Sequence, residues 1–191
     1  MLRLWMALLM VLRDFNLIVT TSRGYENDAC SEVWFLLGEI GDKDSTVESS
    51  GISGLVLAKT VLDPLEAIKG LRKMLKEQPW EFRYALRIIP VEVVVPTGLP
   101  EIKEASLKLS SRILEDETFR VTVEKRHTEL SRREIIEAIA EDIERKVDLH
   151  NPDKIILIEV LGGLTSVSVI KQGDILSVAK EKAEYLHAPQ T

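Results

Sequence analysis

Five cations crowd one short stretch of an acidic chain. Residues 118–133, TFRVTVEKRHTELSRR, hold Arg120, Lys125, Arg126, Arg132 and Arg133 against Glu124 and Glu129, a net of +3, while the 191 residues together carry −6. Lys125, Arg126 and His127 fall in a predicted strand-to-helix loop, and Arg132 and Arg133 open the next helix. A helix N-terminus adds partial positive charge through its unpaired N–H groups. Loop cations beside such an end suit a phosphate group. Ordinary solvated surface charge is the competing reading.

The other reactive residue types form no catalytic constellation. The Gly51-Ile52-Ser53-Gly54 stretch lacks the spacing and the following Lys of a phosphate loop, and there is no Gly-x-Ser-x-Gly elbow. Cys30 sits among apolar neighbours in a predicted helix, which favours a structural thiol over a nucleophile. A single cysteine leaves no internal disulfide and no cysteine-rich zinc site. His127, His150 and His187 are scattered without ligand spacing, so no metal or cofactor is expected. Glu159, alone in the apolar run KIILIEV, reads as a carboxylate on a solvent face as readily as a reactive group. The acids of the segment 134–148 fall largely off its apolar stripe and read as a solvated face.

The elements that must position the cations follow from periodicity. Hydrophobic residues make up 45% and charged residues 29%, which allows a packed core in a globular cytoplasmic protein. The net charge argues against a chain that coats nucleic acid by bulk charge, but leaves room for a local patch. The opening MLRLWMALLMVLRD has an apolar run from Leu4 to Leu12, too short to span a bilayer as a helix and without a small-residue cleavage site. An extended start is the first reading, with Met6 and Met10 as internal alternatives; a short ordered extension comes second and a membrane anchor last.

Phe15–Thr20 predicts a buried strand and 27–37 a helix stopped by Gly38. TVESS and LVLAKTV predict two strands about the Gly51–Gly54 turn. Asp63-Pro64-Leu65-Glu66 reads as a capping box opening a helix with Ile68, Leu71 and Leu75 on its buried stripe. YALRIIPVEVVV is extended. The order β-α-β-β-α-β is the ferredoxin-like arrangement. Pro96, Gly98 and Pro100 mark a boundary.

Beyond that boundary, Ile102, Ala105, Leu109 and Ile113 give a helix, and TFRVTVEK a strand with Phe119, Val121 and Val123 on one face. Ser131 to Glu134 is a second capping box. Its helix is expected to carry Ile135, Ile139, Ile143 and Val147 on one stripe until Asn151-Pro152 stops it. KIILIEV and SVSVIK then form a hairpin about Gly162-Gly163, the first strand central in its sheet. The expected division is an extension over 1–13, a ferredoxin-like domain over 14–95, an α/β domain over 96–184 and a tail over 185–191, an α+β chain as a whole.

The stretch from Arg120 to Lys171 resembles the core of a THUMP domain, the RNA-binding module of tRNA-modifying proteins. The hydrophobic strand, the basic loop, the Arg-bearing capped helix, the knot VDLHNP and the strand IILIEV stand in family order. NLIVTTSRGYENDACSEVWFLLGEIGD and LRIIP are similar to the N-terminal ferredoxin-like part of stand-alone THUMP proteins, in particular of the adaptor that helps a tRNA cytidine acetyltransferase modify the D-arm. The resemblance implies a tRNA-binding, non-catalytic chain whose partners are tRNA and that acetyltransferase, with no membrane or DNA. Residue by residue, Arg126 matches the basic loop and Arg132 the helix start. Lys125, His127 and Arg133 are their neighbours, and Arg87 matches a basic position before Pro. The acidic balance and the apolar segment VEVVVPTGLP depart from the family pattern. A protein serving another tRNA modification, and a small-molecule enzyme on a ferredoxin-like fold, are the alternatives.

Overall fold

The computed structural model describes residues 13–187. The N-terminal apolar run and the end of the C-terminal tail lie outside them. The chain forms two units, one comprising residues up to Pro90 and from Asp174 onward, the other Val91–Gly173.

The first unit contains β1 (Leu17–Thr20), α1 (Glu26–Glu39), β2 (Thr46–Ser49), β3 (Leu55–Lys59), α2 (Pro64–Glu77) and β4 (Arg87–Pro90). Their sheet order is β4-β1-β3-β2, antiparallel throughout, as the ferredoxin-like reading requires. Alternation sets the core. Leu17, Val19, Val56, Ala58 and Ile88 pack with Ala29, Val33, Leu36 and Leu37 of α1 and with Ile68, Leu71 and Leu75 of α2. Asp63 caps α2 by accepting the N–H groups of Leu65 and Glu66. Glu66 does not complete a box; it accepts from Lys69 at 2.7 Å. Cys30 is half-buried against this core.

The second unit contains β5 (Val93–Pro96), α3 (Leu99–Ser110), β6 (Thr118–Arg126), α4 (Arg132–Ala140), β7 (Lys146–Val147), β8 (Lys154–Leu161) and β9 (Leu164–Ile170). The sheet order is β5-β9-β8-β6-β7, with β6 parallel to both its neighbours and the other pairs antiparallel. The expected hairpin is present and β8 is central. Ile102, Phe119, Ile135, Ile139, Ile156, Ile158 and Val167 anchor the core.

Three boundaries differ from expectation. The units divide after Pro90 rather than near residue 95, because Val93–Pro96 pairs with Leu164–Val167 in the second sheet. Pro96 closes that strand, and Gly98 precedes α3 with Pro100 in its first turn. The second unit ends at Gly173, short of residue 184. The chain then returns to the first unit as β10 (Leu176–Ser177), paired with β4, and α5 (Val178–His187). Arg72 of α2 holds this return through Glu181 at 2.8 Å.

The third difference concerns α4, which stops at Ala140. Ile143 stays buried in the turn beyond it, but Val147 is 50% exposed on β7. Acids crowd the end of the helix, where the dipole disfavours them, and Lys103 engages Glu141 and Asp142. Lys146 and Val147 are instead held extended against Thr118 and Phe119. The polar knot therefore ends no helix. The Asp148 carboxylate accepts the N–H groups of His150 and Asn151, both at 2.9 Å, and Asp148 N–H donates to the Phe119 carbonyl. Asp153 accepts from the Thr118 N–H at 2.8 Å and its hydroxyl at 2.7 Å. The knot ties the turn between β7 and β8 to the start of β6.

Candidate nucleic-acid interface

The cations predicted from sequence sit where β6 runs out and α4 begins. Lys125 is exposed near the end of β6, and its ammonium donates to the Leu130 carbonyl at 2.8 Å. It has no ion pair among the described residues. His127 turns the chain with φ 54°, an uncommon left-handed conformation for a non-glycine residue, beside Gly162 (φ 66°) of the hairpin turn. Arg132 is the first residue of α4, 60% exposed, with Glu124 at a loose 3.9 Å. Arg133 is 85% exposed and donates to Glu137, one turn on, at 2.7 Å.

Arg126 has a different role from the one its sequence position implies. Its guanidinium donates to the Glu159 carboxylate at 3.1 Å, and Glu159 is 1% exposed. The backbone of Arg126 is also fixed, its carbonyl accepting the Gly162 N–H at 2.9 Å. Glu159 is thus a buried, paired carboxylate, not a group on a solvent face. Sequence reasoning missed this pair, although a lone Glu within an apolar strand was its visible signal.

The helix start is likewise more balanced than its sequence suggests. Ser131 and Glu134 form a reciprocal capping box, with Ser131 Oγ accepting from Glu134 N–H and Glu134 accepting from Ser131 N–H. The Ser131 N–H, its hydroxyl and the Lys125 charge hold the Glu134 carboxyl below the usual carboxylate range. The Glu134 carboxylate therefore already accepts a backbone N–H at this end of the helix. Lys125, Arg132 and Arg133 remain the cations a phosphate could reach.

Arg87 belongs to the other unit. It lies on β4 of the first unit, opposite Thr20 and Ser177. Among the described residues no cluster of three or more His, Cys, Asp or Glu side chains could hold a metal ion. Burial and the nearby Glu48 and Glu26 raise the Cys30 thiol, which lowers its thiolate character. No described helix is long and apolar enough to cross a membrane.

Residues 96–170 match the THUMP domain family model and lie within the second unit. An uncharacterized protein of Methanocaldococcus jannaschii is 25% identical over 170 residues, covering 86% of this chain and 43% of that protein. Mouse THUMP domain-containing protein 1 is 25% identical over 170 residues, covering 78% of this chain and 48% of that protein. The chain thus spans less than half the length of these relatives. A crystal structure of a 4-thiouridine synthetase–RNA complex with bound ATP shares the fold, with a TM-score of 0.50 and 20% identity over 83% of this chain and 42% of that one.

Proposed function

We propose that the THUMP domain of this chain binds tRNA and presents it to a separate modification enzyme. The observation that carries this reading is the family match over 96–170, which covers the β6–α4 loop with its three reachable cations. Phosphate contacts of that kind draw affinity from counterion release and fix position rather than sequence. RNA shape and unpaired ends supply selectivity, since side chains cannot read the narrow major groove of A-form RNA.

The reaction served is cytidine acetylation in the D-arm, and this chain acts as the adaptor, not the catalyst. The adaptor likeness of the ferredoxin-like segment supports this finer assignment. The test is a reconstitution with tRNA, acetyl-coenzyme A, ATP and a tRNA cytidine acetyltransferase. Acetylcytidine should form only when enzyme and chain are both present. Acetylation by the chain alone would refute the adaptor role. Acetylation by the enzyme at an undiminished rate without the chain would remove this reaction from it.

A further inference from the structure

Among the described residues, the first unit has arginines without a carboxylate partner on the same loops as its exposed aromatic rings. Two loops build the cluster, residues 21–25 after β1 and residues 79–86 before β4. The Tyr25 and Tyr84 rings stack with centroids 5.5 Å apart and planes at 26°. Tyr25 is 49% exposed and Trp80 58% exposed. Arg23 and Arg83 are exposed, and Arg87 is half-buried at the start of β4. None of these arginines has an ion pair among the described residues; Arg83 donates to the Trp80 carbonyl at 3.2 Å. Against the three arginines, the two loops and Arg87 include one acid, Glu81.

The loops are held from beneath. Buried Glu32 of α1 accepts the N–H groups of Arg83, Tyr84 and Ala85 at 2.7, 2.9 and 2.9 Å. Glu26 accepts from the Gly24 and Gly54 N–H groups, which fixes the β1–α1 loop on the β2–β3 turn. Gly54 is required there, because a Cβ would come within 2.9 Å of the Thr21 carbonyl and φ is +76°. Glu26 and Glu32 are therefore committed to backbone donors, and the rings are presented on a fixed base.

A stacked aromatic pair with an open outer face, bordered by unpaired guanidinium groups, suits an unpaired nucleotide. The base can extend the Tyr stack while its phosphates meet the arginines. We infer that Tyr25, backed by Tyr84 and flanked by Arg23, Arg83 and Arg87, forms a second RNA contact that takes a single-stranded segment. This inference rests on the tRNA-binding reading and adds a site in the other unit.

The test uses the full chain and a single-stranded RNA octamer with a central 2-aminopurine, whose fluorescence is quenched by stacking, alongside a full tRNA. Wild-type protein should quench the octamer. Tyr25→Ala should weaken octamer binding about 5- to 150-fold, the equivalent of one lost base stack, and abolish the quench. Tyr25→Phe should retain both. Arg23→Gln, at an exposed turn position without a side-chain partner, should lower the salt dependence of octamer binding without altering the thermal melt. Octamer binding by Tyr25→Ala within twofold of wild type, or an unchanged salt dependence in Arg23→Gln, would overturn the inference. So would wild-type binding of tRNA but not of the octamer, which leaves the tRNA reading intact. Binding of neither RNA would overturn both.

Discussion

The guanidinium of Arg126 donates to the buried carboxylate of Glu159 at 3.1 Å, joining the last residue of β6 to the middle of β8. A basic residue at the edge of the cationic loop thus neutralises an acid inside the protein. Removing one partner of such a pair strands the other charge, which costs more than the pair contributes.

Arg126→Ala should accordingly lower the stability of the second unit. Breaking a fully buried pair costs roughly 3–5 kcal/mol. The Arg126 side chain is 32% exposed, so water can reach Glu159 once it is gone, and the lower end of that range applies. Urea unfolding followed by circular dichroism measures the loss. A change below about 1 kcal/mol, the level of an exposed pair, would show that the interaction is superficial.

Glu32 makes a parallel case in the first unit. Three backbone N–H groups converge on its carboxylate. Glu32→Gln removes the charge and turns an amide donor toward those donors, leaving at least one unmet at about 1–3 kcal/mol. Amide hydrogen exchange at Arg83, Tyr84 and Ala85 should accelerate sharply. Unchanged protection at these three amides would contradict the assigned role.

The polar knot should give the protein an acid-sensitive limb. N–H groups of Asn151 and His150 hold Asp148 below its ordinary value, and the Thr118 N–H and hydroxyl do the same for Asp153. With folded values depressed, the unfolded chain takes up these protons first. The stabilisation is complete above the unfolded carboxylate range near pH 4 and is lost as pH falls through the folded values. Asp153→Asn should flatten the decline of Tm between about pH 5 and 3. A decline as steep as in the wild type would place the acid sensitivity elsewhere.

Capping of α4 is testable on its own. Ser131→Ala removes the acceptor for the Glu134 N–H and should cost about 1 kcal/mol. A thermal melt unaffected by the change would mean that the tertiary contacts of Ile135 and Ile139 alone hold the helix start.

Local chemistry was readable from the sequence wherever one segment sufficed. Asp63 and Ser131 cap the helices they precede, and Gly162-Gly163 turns the expected hairpin. What escaped depended on partners distant in the chain. Lys146 and Val147 continue an apolar period that suits a helix, yet pairing with Thr118 and Phe119 draws them into a strand. Val93–Pro96 follows β4 after two residues but pairs with Leu164–Val167 in the other sheet. Leu176 and Ser177 return to β4 across more than eighty residues of chain. The cationic loop was visible as composition, and Glu137 stands one turn from Arg133 on the predicted helix, but the carboxylates that engage Arg126 and Arg132 were not legible, because Glu159 comes from another strand and Glu124 from the strand before the loop.

The central claim is that tRNA crosses the β6–α4 loop, and the salt dependence of binding tests it most directly. Fluorescence anisotropy would follow labelled tRNA and the full chain across a range of salt concentrations. The comparison is between wild type, the triple variant Lys125→Gln, Arg132→Gln and Arg133→Gln, and a Glu144→Gln control beyond the end of α4. Three lost phosphate contacts should weaken binding at least about tenfold and reduce the log–log salt slope by roughly 2–3, while the control binds as wild type. An unchanged affinity and slope in a triple variant that melts like wild type would contradict the account.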